Sequence, residues 1–209
     1  MTTAQLVRRY LSDTQTEIVV YSILTSILGI IFAMLNDSAS LLFSIYLVGI
    51  AYMSMRTLDV QKIYMPMFNI MPIHAKTIVT AHYSYYFSFC SIFGLMFVIL
   101  LIFDSIISQQ FSLSLFIGML LLALCMTLFY CNIFYFFHYR FQNGSNLFLI
   151  FIILLSLFGG FAKFSEFLQS ITYTPSSLAI MSMISVALFI LTRFQISYSV
   201  TLFAKKDFA

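Results

Sequence analysis

Residues Arg56–Tyr83 read RTLDVQKIYMPMFNIMPIHAKTIVTAHY and form the longest interval of the chain without a continuous apolar run. The interval contains three of the ten Lys and Arg residues and two of the three His residues. On both sides of it lie apolar runs of about 20 residues, which is the length that a helix needs to cross hydrocarbon. The interval therefore separates two groups of predicted membrane helices, and we expect it to contact a soluble partner on one side of the membrane.

The composition assigns the chain to the integral membrane proteins. Of its 209 residues, 62% are hydrophobic and 8% are charged, and the mean hydropathy is +1.02. A soluble domain of this length could not cover so much apolar surface with polar groups. The predicted fold class is an all-α polytopic membrane protein, and no break in composition divides residues 1–209 into more than one transmembrane domain.

Six membrane spans are predicted from the apolar runs. They cover Ile18–Leu35, Leu41–Met55, Tyr83–Phe103, Leu113–Phe137, Leu147–Ala162 and Ser177–Phe194. No small-residue cleavage site follows the first span, so we expect it to be retained rather than removed as a signal peptide. An even number of spans places both termini on the same side of the membrane.

The positive charges predict which side that is. If both termini are cytoplasmic, nine of the ten Lys and Arg residues lie inside, and only Lys163 lies outside, close to Glu166. Basic residues concentrate on the cytoplasmic side of membrane proteins, so the predicted topology is N-in and C-in. The net charge of +3 then reflects contact with the anionic membrane surface, and nothing in it indicates binding to nucleic acid.

Two cytoplasmic helical elements are predicted outside the spans. Residues 1–16 are expected to contain a short amphipathic helix at the membrane interface, the alternative being a frayed polar leader. In the central interval Pro66 should bend a second helix and Pro72 should end it, so that a new helix begins near Ile73 and continues into the third span. The apolar residues of this bent helix recur at helical spacing: Val60, Ile63, Tyr64, Met67, Phe68 and Met71. It is either a docking surface or an interfacial helix without a partner.

The ends of two later spans carry further predictions. Residues 134–141, at the end of the fourth span, are rich in Phe and Tyr. Because the chain has no Trp, we interpret this cluster as the interfacial aromatic girdle. The last helix is expected to begin at a Ser cap after Pro175 and to end near Arg193.

The sequence contains none of the catalytic patterns that we sought. It has no GxxxxGK[ST] phosphate loop and no HExxH motif, and its His residues do not stand four apart. No carboxylate falls deep within a predicted span, which argues against a proton-coupled transporter. We therefore expect no enzyme activity, cofactor or metal in this chain, and we expect energy or a signal to come from another subunit.

Residues Met71–Tyr83, MPIHAKTIVTAHY, resemble the segment LPisRkqIVlaKYl that leads into the third helix of bacterial ABC-2 type permeases, the membrane subunits of ABC exporters. The matching positions are Pro72, Ile73, Lys76, Ile78, Val79, Ala81 and Tyr83. The departures are Met71 for Leu, His74 for a small hydroxyl residue, Ala75 for Arg and His82 for Lys. The number of spans, the topology, the N-terminal helix and the length are similar as well.

The resemblance implies that residues 56–82 form a cytoplasmic coupling segment, with a coupling helix that docks into a separate ABC ATPase subunit. ATP would be bound by that partner, and no cofactor by this chain. The residues expected to make the docking contact are Ile63, Tyr64, Met67, Phe68, Met71, Pro72 and Lys76. A second permease subunit, identical or different, would complete the transporter.

The resemblance also implies a multi-pass protein of the bacterial cytoplasmic membrane that exports an amphipathic peptide or a lipid-like substrate. In size and aromatic content the chain looks like the permeases of Gram-positive exporters that handle amphipathic peptides such as phenol-soluble modulins. The alternative is a non-transporting immunity or assembly protein that binds a cytoplasmic partner through the same segment. An intramembrane enzyme is disfavoured because no nucleophile, base or metal constellation is present.

Overall fold

The computed structural model of the chain describes residues 2–33, 46, 49, 52, 64, 73–107, 113–140 and 175–206. Within these residues it contains five helices: α1 (Thr3–Asp13), α2 (Gln15–Ala33), α3 (Ala75–Ile107), α4 (Leu113–Arg140) and α5 (Pro175–Lys206). The all-α prediction is therefore confirmed for the part of the chain that the structure describes. The predicted second and fifth spans and the predicted coupling helix fall outside it, except for Tyr46, Gly49, Tyr52 and Tyr64.

Helix α1 begins with a capping box, in which Thr2 and Gln5 exchange two hydrogen bonds. The Thr2 hydroxyl accepts a hydrogen bond from the backbone N–H of Gln5 at 3.4 Å, and the Gln5 side chain accepts one from the Thr2 N–H at 2.9 Å. Such a capping box satisfies two backbone donors that would otherwise lack partners. At the other end the Thr14 hydroxyl donates to the Tyr10 carbonyl at 2.8 Å, so the chain turns directly from α1 into α2. The predicted N-terminal helix is present, and its position at a membrane interface stays a prediction.

Three of the helices are long and apolar enough to cross a membrane: Ala75–Ile107, Leu113–Arg140 and Pro175–Ala204. They coincide with the predicted third, fourth and sixth spans. The described part of the predicted first span, residues 18–33, lies in α2, whose residues Gln15–Leu28 form a shorter apolar helix. As the two prolines predicted, a new helix starts just after Ile73: α3 begins at Ala75, where the His74 carbonyl accepts a hydrogen bond from the Thr77 N–H at 2.8 Å.

The prediction that the last helix ends near Arg193 is wrong. Helix α5 continues to Lys206, because no Gly or Pro follows Pro175 to interrupt it. After Arg193 the apolar run gives way to mixed sequence, but Gln195, Ser199 and Phe203 remain buried at a spacing of four residues. The helix therefore ends well after its apolar run does.

The hydrogen bonds show how α4 and α5 are oriented. The Cys125 thiol lies 3.0 Å from the Ser185 hydroxyl, and an Arg140 guanidinium nitrogen donates to the Tyr198 hydroxyl at 3.2 Å. As the residue number in α4 rises, the number of its partner in α5 rises as well. The two helices therefore run parallel. Helix α3 runs antiparallel to α4: its His82 meets Tyr139, whereas Tyr86, one turn further along, donates to the carbonyl of Thr127.

Three residues of the predicted second span are helical and pack on this framework. The ring centroids of Tyr46 and Phe97 are 5.1 Å apart, and Gly49 lies against Phe93 of the same helix α3. Tyr52 stacks on Tyr21 of α2 with centroids 3.8 Å apart. Since a higher residue number in this segment meets a lower one in α3, the order of contacts is antiparallel.

Buried polar side chains of α5 face the other helices, and many of its large apolar side chains face away from them. The buried polar residues are Ser185, Thr192, Gln195 and Ser199. Among the apolar residues, Met183 is 72% exposed and Phe194 is 71% exposed. This distribution is the reverse of that in a soluble protein and suits a hydrocarbon environment, where polar groups must be satisfied within the protein.

Gly49 allows the predicted second span to approach α3. A Cβ atom placed on Gly49 would lie 3.1 Å from the ring of Phe93, whereas one placed on Gly94 of α3 would meet nothing within 4 Å. We expect Gly49→Leu to lower the free energy of unfolding by about 1–3 kcal/mol, since it overfills a packed contact. Gly94→Leu is the matched control and should leave stability unchanged or raise it. Thermal unfolding in detergent, followed by circular dichroism, compares the two variants, and equal melting temperatures would contradict the close approach.

Candidate functional site

A cluster of buried hydroxyl groups lies where α1, the start of α3, the end of α4 and the later part of α5 meet. We call it the tyrosine network, and it consists of Tyr10, Thr14, Tyr64, His82, Tyr83, Tyr85, Tyr135, Tyr139 and Ser199. All nine residues are buried although each has a polar side-chain atom. It is the candidate site because one predicted docking residue, Tyr64, belongs to it.

Tyr64 is attached to α1. Its hydroxyl donates a hydrogen bond to the carboxylate of Asp13, and its ring packs edge-on against Tyr10 with centroids 4.8 Å apart. The guanidinium carbon of Arg9 lies 5.7 Å from the centre of the Tyr64 ring, in cation–π geometry. Burial and the hydrogen bond to the Asp13 carboxylate raise the pKa of Tyr64, so the phenol stays protonated and keeps donating. The side chain is thus packed against α1 rather than presented at a free surface.

The other predicted docking residues are placed as follows. Lys76, the second residue of α3, is exposed. Ile63, Met67, Phe68, Met71 and Pro72 lie outside the described residues. Besides Tyr64, the described part of the predicted coupling segment is residues 73–82, which join Lys76 on the surface to His82 in the interior.

Aromatic contacts and one hydrogen bond connect α1 to α3. The ring of Tyr10 stacks on His82 with centroids 5.9 Å apart and meets Tyr85 edge-on at 5.7 Å. The Tyr85 hydroxyl donates to the Thr14 hydroxyl oxygen at 3.1 Å. The Tyr10 hydroxyl has no hydrogen-bond partner among the described residues, and burial raises the pKa of Tyr10 well above its usual value. Tyr10 therefore holds the two helices together by its ring alone.

His82 connects α3 to α4. Its Nδ1 atom is hydrogen-bonded to the Tyr139 hydroxyl at 2.8 Å, and its backbone carbonyl accepts a hydrogen bond from the Tyr135 hydroxyl at 2.9 Å. The next residue, Tyr83, stacks on Tyr135 with centroids 4.1 Å apart and is hydrogen-bonded to the Ser199 hydroxyl of α5 at 3.2 Å. Two consecutive residues of α3 thus bind both of the later helices.

The interpretation of residues 134–141 as a girdle is wrong for half of the cluster. Phe134, Tyr135 and Tyr139 are buried inside the protein, whereas Phe136 is 42% exposed. Composition alone does not show which side of a helix faces lipid, since both sides are apolar here. The spacing of Tyr135 and Tyr139 was the available signal for the buried side. Because the two residues are four apart, both hydroxyl groups lie on one side of α4, and the start of α3 opposite them is also rich in hydroxyl groups.

The tyrosine network consists of hydrogen bonds and ring contacts between helices. Within the described ranges no group of three or more His, Cys, Asp or Glu residues could hold a metal ion. A hydrogen-bonded and stacked network of this kind fixes the relative positions of the helices that it joins, so a displacement of Tyr64 would be passed to α1 and α3.

Comparison with protein families gives a match over most of the chain. The model of a family described as ABC-2 family transporter protein matches residues 5–204. No curated protein and no solved structure matches the chain significantly. The matched range extends from α1 to the last turn of α5 and so includes the whole tyrosine network.

Two tyrosines of the network provide a matched pair for mutation. Tyr139→Phe leaves the buried Nδ1 of His82 without this partner, and we expect a loss of about 1–3 kcal/mol in the free energy of unfolding. Tyr10→Phe removes a buried hydroxyl that makes no hydrogen bond within the described part of the chain, and we expect no loss. Denaturation of the two purified variants in the same detergent compares them, and an equal loss in both would contradict the assigned hydrogen bonds.

Proposed function

The chain belongs to the ABC-2 family of transporter proteins, and from that premise we propose that it is the permease subunit of an ABC exporter. Membership implies that it works in a membrane together with an ABC ATPase partner. ATP would be bound and hydrolysed by that partner, while this chain forms the membrane path and carries no cofactor or catalytic group. The match over almost the whole chain is the observation that carries the proposal.

The proposed topology has six spans with both termini in the cytoplasm of a bacterial cell. Two contact patterns support it. Tyr46 and Gly49 meet α3 in antiparallel order, as a span that precedes α3 should. Helices α4 and α5 run parallel along their length, as two spans separated by one further crossing should, and the apolar run Leu147–Ala162 is suited to that crossing.

The proposed coupling route begins at the segment that contains Tyr64. When the ATPase subunits close, the docked segment moves, and Tyr64 transmits the movement to α1 through Asp13 and Tyr10. The contacts of Tyr10 and Thr14 with α3 pass it on, and His82 is the point at which it reaches α4. Because these groups are packed and hydrogen-bonded, a displacement at one end moves the other helices as bodies.

The proposed substrate is an amphipathic peptide, as in the Gram-positive exporters that the sequence resembles. A second permease subunit would complete the path across the membrane. The support for this substrate is the resemblance in size and aromatic content.

Docking is tested by charge substitutions in the predicted coupling helix. We expect Met67→Asp and Phe68→Asp to weaken association with a co-expressed ABC ATPase subunit at least about tenfold, since an interface that buries an unpaired charge loses more than 1.4 kcal/mol. Pull-down after co-expression and measurement of substrate-stimulated ATP hydrolysis provide the readout. Asn69→Asp, on the polar side of the same helix, is the control and should retain both. If association and stimulated hydrolysis survive Met67→Asp and Phe68→Asp, the docking assignment is wrong.

The topology is tested with cysteines on either side of the proposed fifth span. In intact cells a membrane-impermeant maleimide should label Ser165→Cys and leave Ser145→Cys unlabelled until the cells are permeabilised. The native cysteines provide the background: Cys90 and Cys131 are buried and Cys125 is partly buried. The reverse labelling pattern, or labelling of both positions in intact cells, would exclude the N-in, C-in arrangement.

A further inference from the structure

An open groove of about 390 Å³ lies between α4 and α5, away from the tyrosine network. Its apolar wall is formed by Phe136, Leu191 and Phe194, and its floor by Asn132 and Gln195. Phe194 is 71% exposed, so the groove opens to the outside of the helix bundle, where lipid surrounds a membrane protein.

Two buried amide side chains lie beneath the groove. Asn132 is 5% exposed; its Nδ2 donates to the Thr192 hydroxyl at 3.0 Å, while its Oδ1 accepts no hydrogen bond among the described residues. The Gln195 amide nitrogen donates to the backbone carbonyl of Asn132. Both amides are buried, so the groove itself is lined almost entirely by apolar atoms.

The guanidinium group of Arg140 lies at one end of the groove. Arg140 is exposed, and its guanidinium donates to the hydroxyl of Tyr198, which lines the groove. That leaves the phenol proton of Tyr198 to be donated to an anion, and the remaining N–H groups of Arg140 can do the same. Arg140 lies eight residues beyond Asn132, about 12 Å along the helix at about 1.5 Å per residue. The groove therefore passes from a cationic end to an apolar, aromatic wall over that distance.

We propose that this groove is a binding site for one anionic phospholipid of the leaflet in which α4 ends. The phosphate is bound by Arg140 and Tyr198, and an acyl chain lies along Phe136, Phe194 and Leu191. The cation at one end and the apolar wall that follows it match the order of phosphate and hydrocarbon in such a lipid. The inference goes beyond the export function and needs neither the ATPase nor the exported substrate.

The absence of Trp from the chain allows a direct test with the full-length protein in vesicles. Phe194→Trp places a single fluorescent indole at the groove. We expect brominated phosphatidylglycerol to quench it with an apparent affinity about fivefold higher than brominated phosphatidylcholine at equal mole fraction, a factor that corresponds to about 1 kcal/mol for one basic residue. Adding Arg140→Gln should abolish the preference, whereas adding Arg140→Lys should retain most of it.

The control reporter is Phe129→Trp, an exposed position on the same helix α4 that does not line the groove. It should be quenched equally by the two lipids, as ordinary surrounding lipid would be. Equal quenching at Phe194→Trp, or a preference that survives Arg140→Gln, would overturn the proposal. Protection of Phe194→Trp from both lipids would overturn it as well, because the groove would then be covered by a second protein chain.

Discussion

The hydrogen bond between His82 and Tyr139 is the contact on which the arrangement of the helices depends. A buried imidazole in a membrane protein needs a partner within the protein, since lipid offers none. His82 meets this need with Tyr139 of α4, accepts a second hydrogen bond from Tyr135 at its backbone carbonyl, and stacks on Tyr10 of α1. One side chain thereby sets the positions of three helices, and this junction lies next to the segment that the ATPase is proposed to move.

Buried polar contacts join the helices in two parts of the bundle, the tyrosine network and the interface between α4 and α5. At the α4–α5 interface the polar contacts are made by the amides of Asn132 and Gln195 rather than by aromatic hydroxyls, and Cys125 lies close to Ser185. Polar contacts between helices matter in a bilayer because apolar packing there does not distinguish a neighbouring helix from lipid. The two sets of contacts fix the α3–α4 pair as antiparallel and the α4–α5 pair as parallel, and these orientations support the proposed topology.

The sequence predicted some parts of this structure well because they depend on local chemistry. Pro72 determines that α3 begins just after Ile73, and the apolar runs locate the three long helices. The end of α5 could not be predicted from hydropathy, since a helix continues through mixed sequence when its buried positions persist, as Gln195 does after Arg193. The inward direction of Tyr135 was missed because both sides of a membrane helix are apolar, and only its partners in space identify the buried side.

The parallel pairing of α4 and α5 has a consequence for the order of synthesis. Asn132 enters the membrane with α4, but Thr192 and Gln195 are added to the chain later, after residues 141–174. Until the ribosome has made the last helix, α4 therefore carries an amide in lipid without its final partners, at a free-energy cost. A chain that stops before Thr192 keeps that exposed amide, which distinguishes an unfinished molecule from a finished one inside the bilayer.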